Sequence, residues 1–257
     1  MGIKTLSQFL YGHEVDVNEH YISIDEGSGE ISVSLTPSGY TFLELGNELA
    51  RALNVSGALD YTVAVDRTTR KYTVSATGAF DILISSGDYA GSSLYATLGF
   101  NAVDKTGLAT YASDFASGVL YRPQLKFFDY SPSDYNEASV QVSINQSGDG
   151  QVEIINFGTV NYMECSIKYI TNRSDRPEII ELNLTAVEEA LSFLRYIRRK
   201  NRIEFMPNRD DPGEFEKLII EKTEKSSNGT EVKLYEMTSQ NIQEYFETRL
   251  LVFRKVV

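Results

Sequence analysis

Apolar and polar positions alternate with period two over residues 21–25 and again over 31–35, on either side of Asp25-Glu26-Gly27-Ser28-Gly29. Alternation about a glycine-rich turn predicts a β-hairpin with one face in water. The period then changes. Thr41-Phe42-Leu43-Glu44 has the form of a capping box, in which the Thr hydroxyl and the Glu carboxylate each satisfy an orphan amide at a helix start. Phe42, Leu45, Leu49 and Leu53 follow at three- and four-residue spacing, so a helix to about Leu53 lays one apolar stripe on a sheet. Alternation returns over 61–65, 71–75 and 80–84, a meander of three strands linked by residues 66–70 and 76–78. A short helix around 93–98 is expected to end at Gly99, where a left-handed cap is easily adopted.

The later half repeats the plan without an exact internal repeat. Residues 138–144 alternate, the turn 145–150 leads into 151–155, and 163–170 form the next strand. A second capping box, Thr185-Ala186-Val187-Glu188, opens a helix with the apolar stripe Val187, Leu191, Leu194 and Ile197. Strands at 202–206, 215–221, 231–236 and 250–254 complete the pattern, with Asn228-Gly229 as the hairpin turn. Between the halves, residues 106–137 are dominated by Gly, Ser, Asp and Tyr and interrupted by Pro123 and Pro132. The expectation is an α+β, β-dominated fold with antiparallel sheets, a sandwich or small barrel, each with a flanking helix. Its domains are an N-terminal arm (1–20), a β-rich domain with two helices (21–105), a linker (106–137) and a β-sandwich with one flanking helix (138–257).

Composition narrows the function. With 257 residues, 42% of them hydrophobic, the chain has enough apolar matter for its own cores. A formal charge of -12 argues against a nucleic-acid-binding surface, which requires clustered cations. The exception is Arg195, Arg198, Arg199, Lys200 and Arg202, read as a solvated helix end favoured by the helix dipole or as a docking site for an acidic partner. Cys165 is the single cysteine, so no internal disulfide is expected, and its neighbours read as a buried strand. No apolar run approaches the ~20 residues of a membrane span, and the first residues lack a secretory pattern, so synthesis in the cytoplasm is expected. Leu6 stands where a myristoylation start requires Ser or Thr.

No catalytic set emerges from the residues. The two histidines, His13 and His20, lie with Glu14, Asp16 and Glu19 in a polar stretch that offers a metal no preorganised geometry. Gly-x-Ser-x-Gly and Gly-Lys-Ser/Thr are both absent. The carboxylates Asp210, Asp211, Glu214 and Glu216 read as a polar turn held by Pro207, Pro212 and Gly213, and Asp25, Glu26 and Glu30 as hairpin solvation. A non-enzyme with no cofactor and no metal is therefore expected. Sixteen tyrosines and 13 phenylalanines with no tryptophan point to contact surfaces, because tyrosine supplies broad, stiff contact area at low entropic cost. Tyr95 belongs to this group of loop aromatics, and carbohydrate stacking is the competing use. The interface candidates are Tyr11, His13, Tyr89, Tyr111, Tyr121, Tyr130, Tyr135, Arg198, Arg199 and Arg202.

Two stretches resemble virion structural proteins of tailed bacteriophages. One is Tyr61-Thr62-Val63-Ala64-Val65-Asp66-Arg67-Thr68-Thr69-Arg70-Lys71-Tyr72-Thr73-Val74 with Thr97-Leu98-Gly99-Phe100. The other runs from Ile203-Glu204-Phe205-Met206-Pro207 to Tyr245-Phe246-Glu247-Thr248-Arg249-Leu250-Leu251-Val252-Phe253-Arg254, and is similar to the ending of distal-tail and tail-tube proteins. The resemblance implies a homo-oligomeric ring, commonly sixfold, docked to other tail proteins within the virion, with interface positions in place of a catalytic set. The residues up to about Phe100 depart from the simplest tail-tube unit. A receptor- or carbohydrate-binding baseplate module and a neck, adaptor or peripheral subunit stay open beside it. The acidic charge suits basic partners, or a lumen that repels DNA.

Overall fold

A computed structural model describes residues 8–121, 128–130, 138–146, 152–167, 170–171, 186–199, 201–207, 211, 213–221, 232, 234–236, 245–248 and 250–256. In chain order the first elements are β1 (Gln8–Tyr11), β2 (Tyr21–Asp25), β3 (Glu30–Ser34), α1 (Phe42–Ser56), β4 (Tyr61–Asp66), β5 (Lys71–Ile82), α2 (Ser93–Thr97), β6 (Lys105–Ala112) and β7 (Val119–Tyr121). They are followed by β8 (Phe128–Tyr130), β9 (Ala138–Gln146), β10 (Val152–Ile167), β11 (Ile170–Thr171) and α3 (Ala186–Arg198). The last are β12 (Ile203–Met206), β13 (Glu216–Ile220), β14 (Leu234–Glu236), β15 (Tyr245–Thr248) and β16 (Leu251–Lys255). The fold is α+β and β-dominated, with antiparallel sheets. The chain forms two compact units, one from residues 9–120 and 202–215, the other from the described residues of the remainder.

In the first unit β5 is the organising strand. Its 12 residues pair with β4 through the first half, with β2 through Asp81 and Ile82, and with β6 along the opposite side, while β3 pairs with β2. Helix α1 lies against β3 and β4. Thr41 is its N-cap: the hydroxyl accepts from the Glu44 amide at 3.2 Å, and the Glu44 carboxylate accepts from the Thr41 amide at 3.2 Å. The stripe it buries comprises Phe42, Leu45, Gly46, Leu49, Ala52 and Leu53. Each large side chain so buried stabilises the unit by about 1.5–3 kcal/mol. At Gly46 the helix comes so close that an added Cβ would stand 2.5 Å from the Val65 side chain. Tyr72 packs its ring on Phe42 at 4.6 Å and donates its hydroxyl to the Phe42 carbonyl at 2.8 Å, so a polar atom deep in the core is satisfied. Around this contact gather Ile22, Ile24, Val33, Val74, Phe80 and Ile82. Strand β1 lies between β7 and β12, with Phe9 on Phe205 at 5.0 Å.

In the second unit β13, β16, β10 and β8 are successive neighbours, and β9 pairs along the early part of β10 with an irregularity between Asn156 and Thr159. β11, β15 and β14 make a smaller sheet. Helix α3 lies against β11 and β13 and buries Ala190, Phe193, Leu194 and Ile197. Met163, Cys165 and Ile167 alternate inward from β10, and Leu218, Ile220, Leu251 and Phe253 from β13 and β16.

Several expectations change. Residues 8–11 are no arm: all four are buried, because Phe9 and Leu10 supply apolar surface to a sheet. The span 106–137 is not all linker, since 105–112 form β6. The segments 71–75 and 80–84 belong largely to one strand, β5, and 151–155 and most of 163–170 to another, β10. The second half is not one continuous domain, because 202–215 fold with the first unit through the fully buried strand β12. Thr185, Asp210, Pro212 and Asn228-Gly229 lie outside the described residues.

Candidate functional site

The outer edge of β6 is the surface best built for contact. Among the described residues it pairs with β5 alone, and residues 106–110 are exposed. Two bonds hold its shape: the Gly107 amide donates to Asp81 Oδ1 at 2.7 Å, and the Leu108 amide donates to the Tyr111 hydroxyl at 2.7 Å. That hydroxyl in turn donates to the Phe80 carbonyl at 2.8 Å, with the two rings edge to face at 5.1 Å. Lys105 is tied back to Asp114 at 2.8 Å. From Thr106 to Ala112 the strand carries no charge and no proline, and Val103, Leu108 and Phe115 expose about 60% of their surface along this segment. Natural edge strands usually bear a lysine, a proline or a cover against pairing with another chain.

The interface candidates divide into inward and outward groups. Tyr111 is buried, as just described, so it supports the edge from within and does not offer a contact face. Tyr11 is buried in β1, Tyr121 is buried and stacked on Phe193 at 4.6 Å, and Tyr95 is buried with its hydroxyl donating to the Leu83 carbonyl at 3.0 Å. These aromatics serve cores: Tyr111 and Tyr121 pack on Phe80 and Phe193, and Tyr95 and Tyr111 each find a carbonyl for the hydroxyl. His13 is half-buried and accepts from the Gly118 amide at 3.1 Å, and burial holds its imidazole below the ordinary range. Tyr89 is half-buried, its ring stacked on Tyr21 at 4.8 Å and 14°. Tyr130 stands in β8 opposite Cys165, and Tyr135 lies outside the described residues.

The basic cluster is not one patch of like residues. Arg195, Arg198 and Arg199 are exposed near the end of α3, whereas Arg202 is half-buried and pairs with Glu44 at 3.1 Å. Asp211 is exposed and accepts from the Gly213 amide at 3.2 Å, the geometry of a turn. Asp25 likewise accepts from the Gly27 and Gly29 amides at 2.6 and 3.0 Å. Cys165 is buried, and burial pushes its thiol up, which leaves it without nucleophilic character at neutral pH.

One cluster has no signal in the sequence. Glu204 is fully buried, accepts from Arg67 Nε at 2.8 Å and from the Leu43 amide in the first turn of α1 at 3.2 Å. The Arg67 guanidinium lies 3.7 Å over the Phe215 ring. The pair is 137 residues apart in sequence, and only the fold brings it together. Among the described residues no group of three or more His, Cys, Asp and Glu is arranged to hold a metal, and no helix is long and apolar enough to cross a membrane. Neither a scan of family models nor a search of curated proteins gives a match to this chain.

Proposed function

We propose that this chain is a non-enzymatic structural component of a bacteriophage tail, a distal-tail, tail-tip or tube-like ring subunit that works in the virion by self-association and docking to neighbouring tail proteins. The observation that carries the reading is the unguarded edge of β6, rigidly backed by Tyr111 and flanked by exposed Val103, Leu108 and Phe115. The Gly107 and Leu108 amides are spent on Asp81 and Tyr111, and the edge's other outward backbone groups, with apolar side chains beside them, are a template for a strand from a neighbouring copy. Head-to-tail contacts of this kind close into rings when the rotation per subunit allows it. The resemblance of residues 61–74 and 97–100, and of the chain from 203 to 254, to tail structural proteins supports the same reading.

Native mass spectrometry with negative-stain imaging of the same purified sample tests it. A closed ring, six copies being the expected number, is the supporting result. A protein that stays a monodisperse monomer and binds no tail component overturns it.

A further inference from the structure

Two open clefts of about 220 and 520 Å3 flank the loop of residues 89–92 in the first unit. The smaller is lined by Tyr21 and Tyr89 together with Asn18, Glu19 and Ser92. The larger continues past Ser92 to Ser85, Tyr95, Phe100 and Asn101. Neither cleft is used by the β6 edge.

The loop is fixed before any ligand arrives. The Ala90 amide donates to the Gly87 carbonyl at 2.9 Å and the Ser92 amide to the Tyr89 carbonyl at 3.0 Å. Gly87 sits so close to β2 that a Cβ there would meet the Ser23 Cβ at 2.5 Å, and the Asp88 amide donates to Glu30 at 2.7 Å. Beneath, the Tyr95 hydroxyl accepts from the Ser23 amide at 2.6 Å and donates to the Leu83 carbonyl at 3.0 Å. Tyr21 and Tyr89 are therefore held as a near-parallel pair, and the His20 ring lies 4.0 Å from that of Tyr21, tilted by 39°. A site so fixed loses little conformational freedom on binding.

The polar lining selects the ligand. Asn101 Oδ1 is buried and receives no hydrogen bond from the described residues. The lining thus carries the open acceptor Asn101 Oδ1 together with the anionic Glu19, and asks for donors. A phosphodiester or carboxylate brings only acceptors at neutral pH, and any such anion is repelled by Glu19 and by a chain of charge -12. A quaternary ammonium calls for rings on several sides, whereas Tyr21 and Tyr89 lie 14° from parallel and form a stack, not a cage. A neutral sugar matches both halves of the demand, hydroxyl donors for the acceptors and the flat C–H face of a pyranose for the tyrosine stack. We infer that the clefts beside Tyr21 and Tyr89 bind a neutral saccharide.

The test applies the full-length protein to an array of neutral and acidic glycans and follows each hit by saturation-transfer NMR. The expected result is binding to neutral pyranose oligomers, weakened at least about tenfold by Tyr89→Ala and retained by Phe115→Ser, an exposed aromatic outside the clefts. Asn101→Asp, which adds a negative acceptor and removes an amide without changing size, tests the acceptor wall and is expected to alter which hydroxyl pattern is preferred. No binding at millimolar sugar overturns the proposal. So does equal binding of acidic glycans, binding untouched by Tyr89→Ala, or saturable binding of a trimethyllysine peptide in place of sugar. A failure here leaves the oligomeric state unaffected, so it is separable from a failure of the tail reading.

Discussion

Arg67 and Glu204 meet at 2.8 Å with the carboxylate wholly buried, which ties the turn after β4 to β12 and to the first turn of α1. Such a pair fixes where elements sit more than it adds net stability, because desolvation of both ions offsets much of their attraction. Removing one partner leaves the other charged and unpaired. Arg67→Ala is therefore expected to destabilise the protein by about 3–5 kcal/mol in urea titrations. The double replacement Arg67→Met/Glu204→Leu is expected to restore part of that loss, and a strictly additive double variant would contradict the pairing.

His13 gives a pH dependence. Burial holds its folded pKa below the ordinary 6.5, so the unfolded chain binds the proton more readily. Its contribution is fully present above about pH 6.5 and is lost as the pH falls from there toward the lowered folded value. Protonation at Nε2 also removes the acceptor for the Gly118 amide. Melting temperatures measured from pH 7.5 down to 5 are expected to fall less for His13→Gln, which keeps an acceptor and does not titrate.

Gly46→Ala sets two effects against each other. Alanine in a helix interior gains about 1 kcal/mol over glycine. The new methyl group would lie 2.5 Å from Val65 Cγ2 and 3.2 Å from the Tyr72 ring, and overpacking typically costs about 1–3 kcal/mol. The clash is expected to win, lowering stability by about 1 kcal/mol, and Val65→Ala in the same chain is expected to relieve it.

Cys165 is expected to resist iodoacetamide in the native protein for hours and to react fully in denaturant, as read by intact mass. Its thiol is buried in β10 and its pKa is raised, first by burial and further by Glu164. Rapid native labelling would show that this strand opens without global unfolding.

Leu108→Lys is expected to abolish the proposed self-association while changing monomer stability by no more than about 0.5 kcal/mol, since the side chain is largely exposed and the backbone bond to Tyr111 is kept. Light scattering and denaturation on the same variant separate the two effects.

Local chemistry was legible in the chain where one short stretch carries the whole signal. The Thr41/Glu44 box and the stripe of α1 are read from a dozen residues, and so are the β2–β3 hairpin and the capped end of α2 at Gly99, whose φ is +83°. β5 was harder: Ala76-Thr77-Gly78 looks like a turn, yet the strand runs through it, with an irregularity in its pairing with β6. The tyrosines misled for a related reason. Tyr111 and Tyr121 stand among Gly and Ser in sequence, and only the partners Phe80 and Phe193, far along the chain, turn their rings inward. The Tyr21/Tyr89 stack and the Arg67/Glu204 pair are products of long-range geometry, which neither periodicity nor spacing encodes.

The first unit is interrupted: residues 9–120 wait for 202–215. On a ribosome the intervening stretch takes on the order of ten seconds to emerge. For that interval Arg67 has no carboxylate beside it and Phe9 has no Phe205 to cover it. The nascent chain is thus exposed to wrong pairing along its β1 edge until late in synthesis. Slowing translation between these segments should lengthen that exposure and raise the yield of misassembled protein, whereas a circular permutant that places β12 beside β1 in the chain should shorten it.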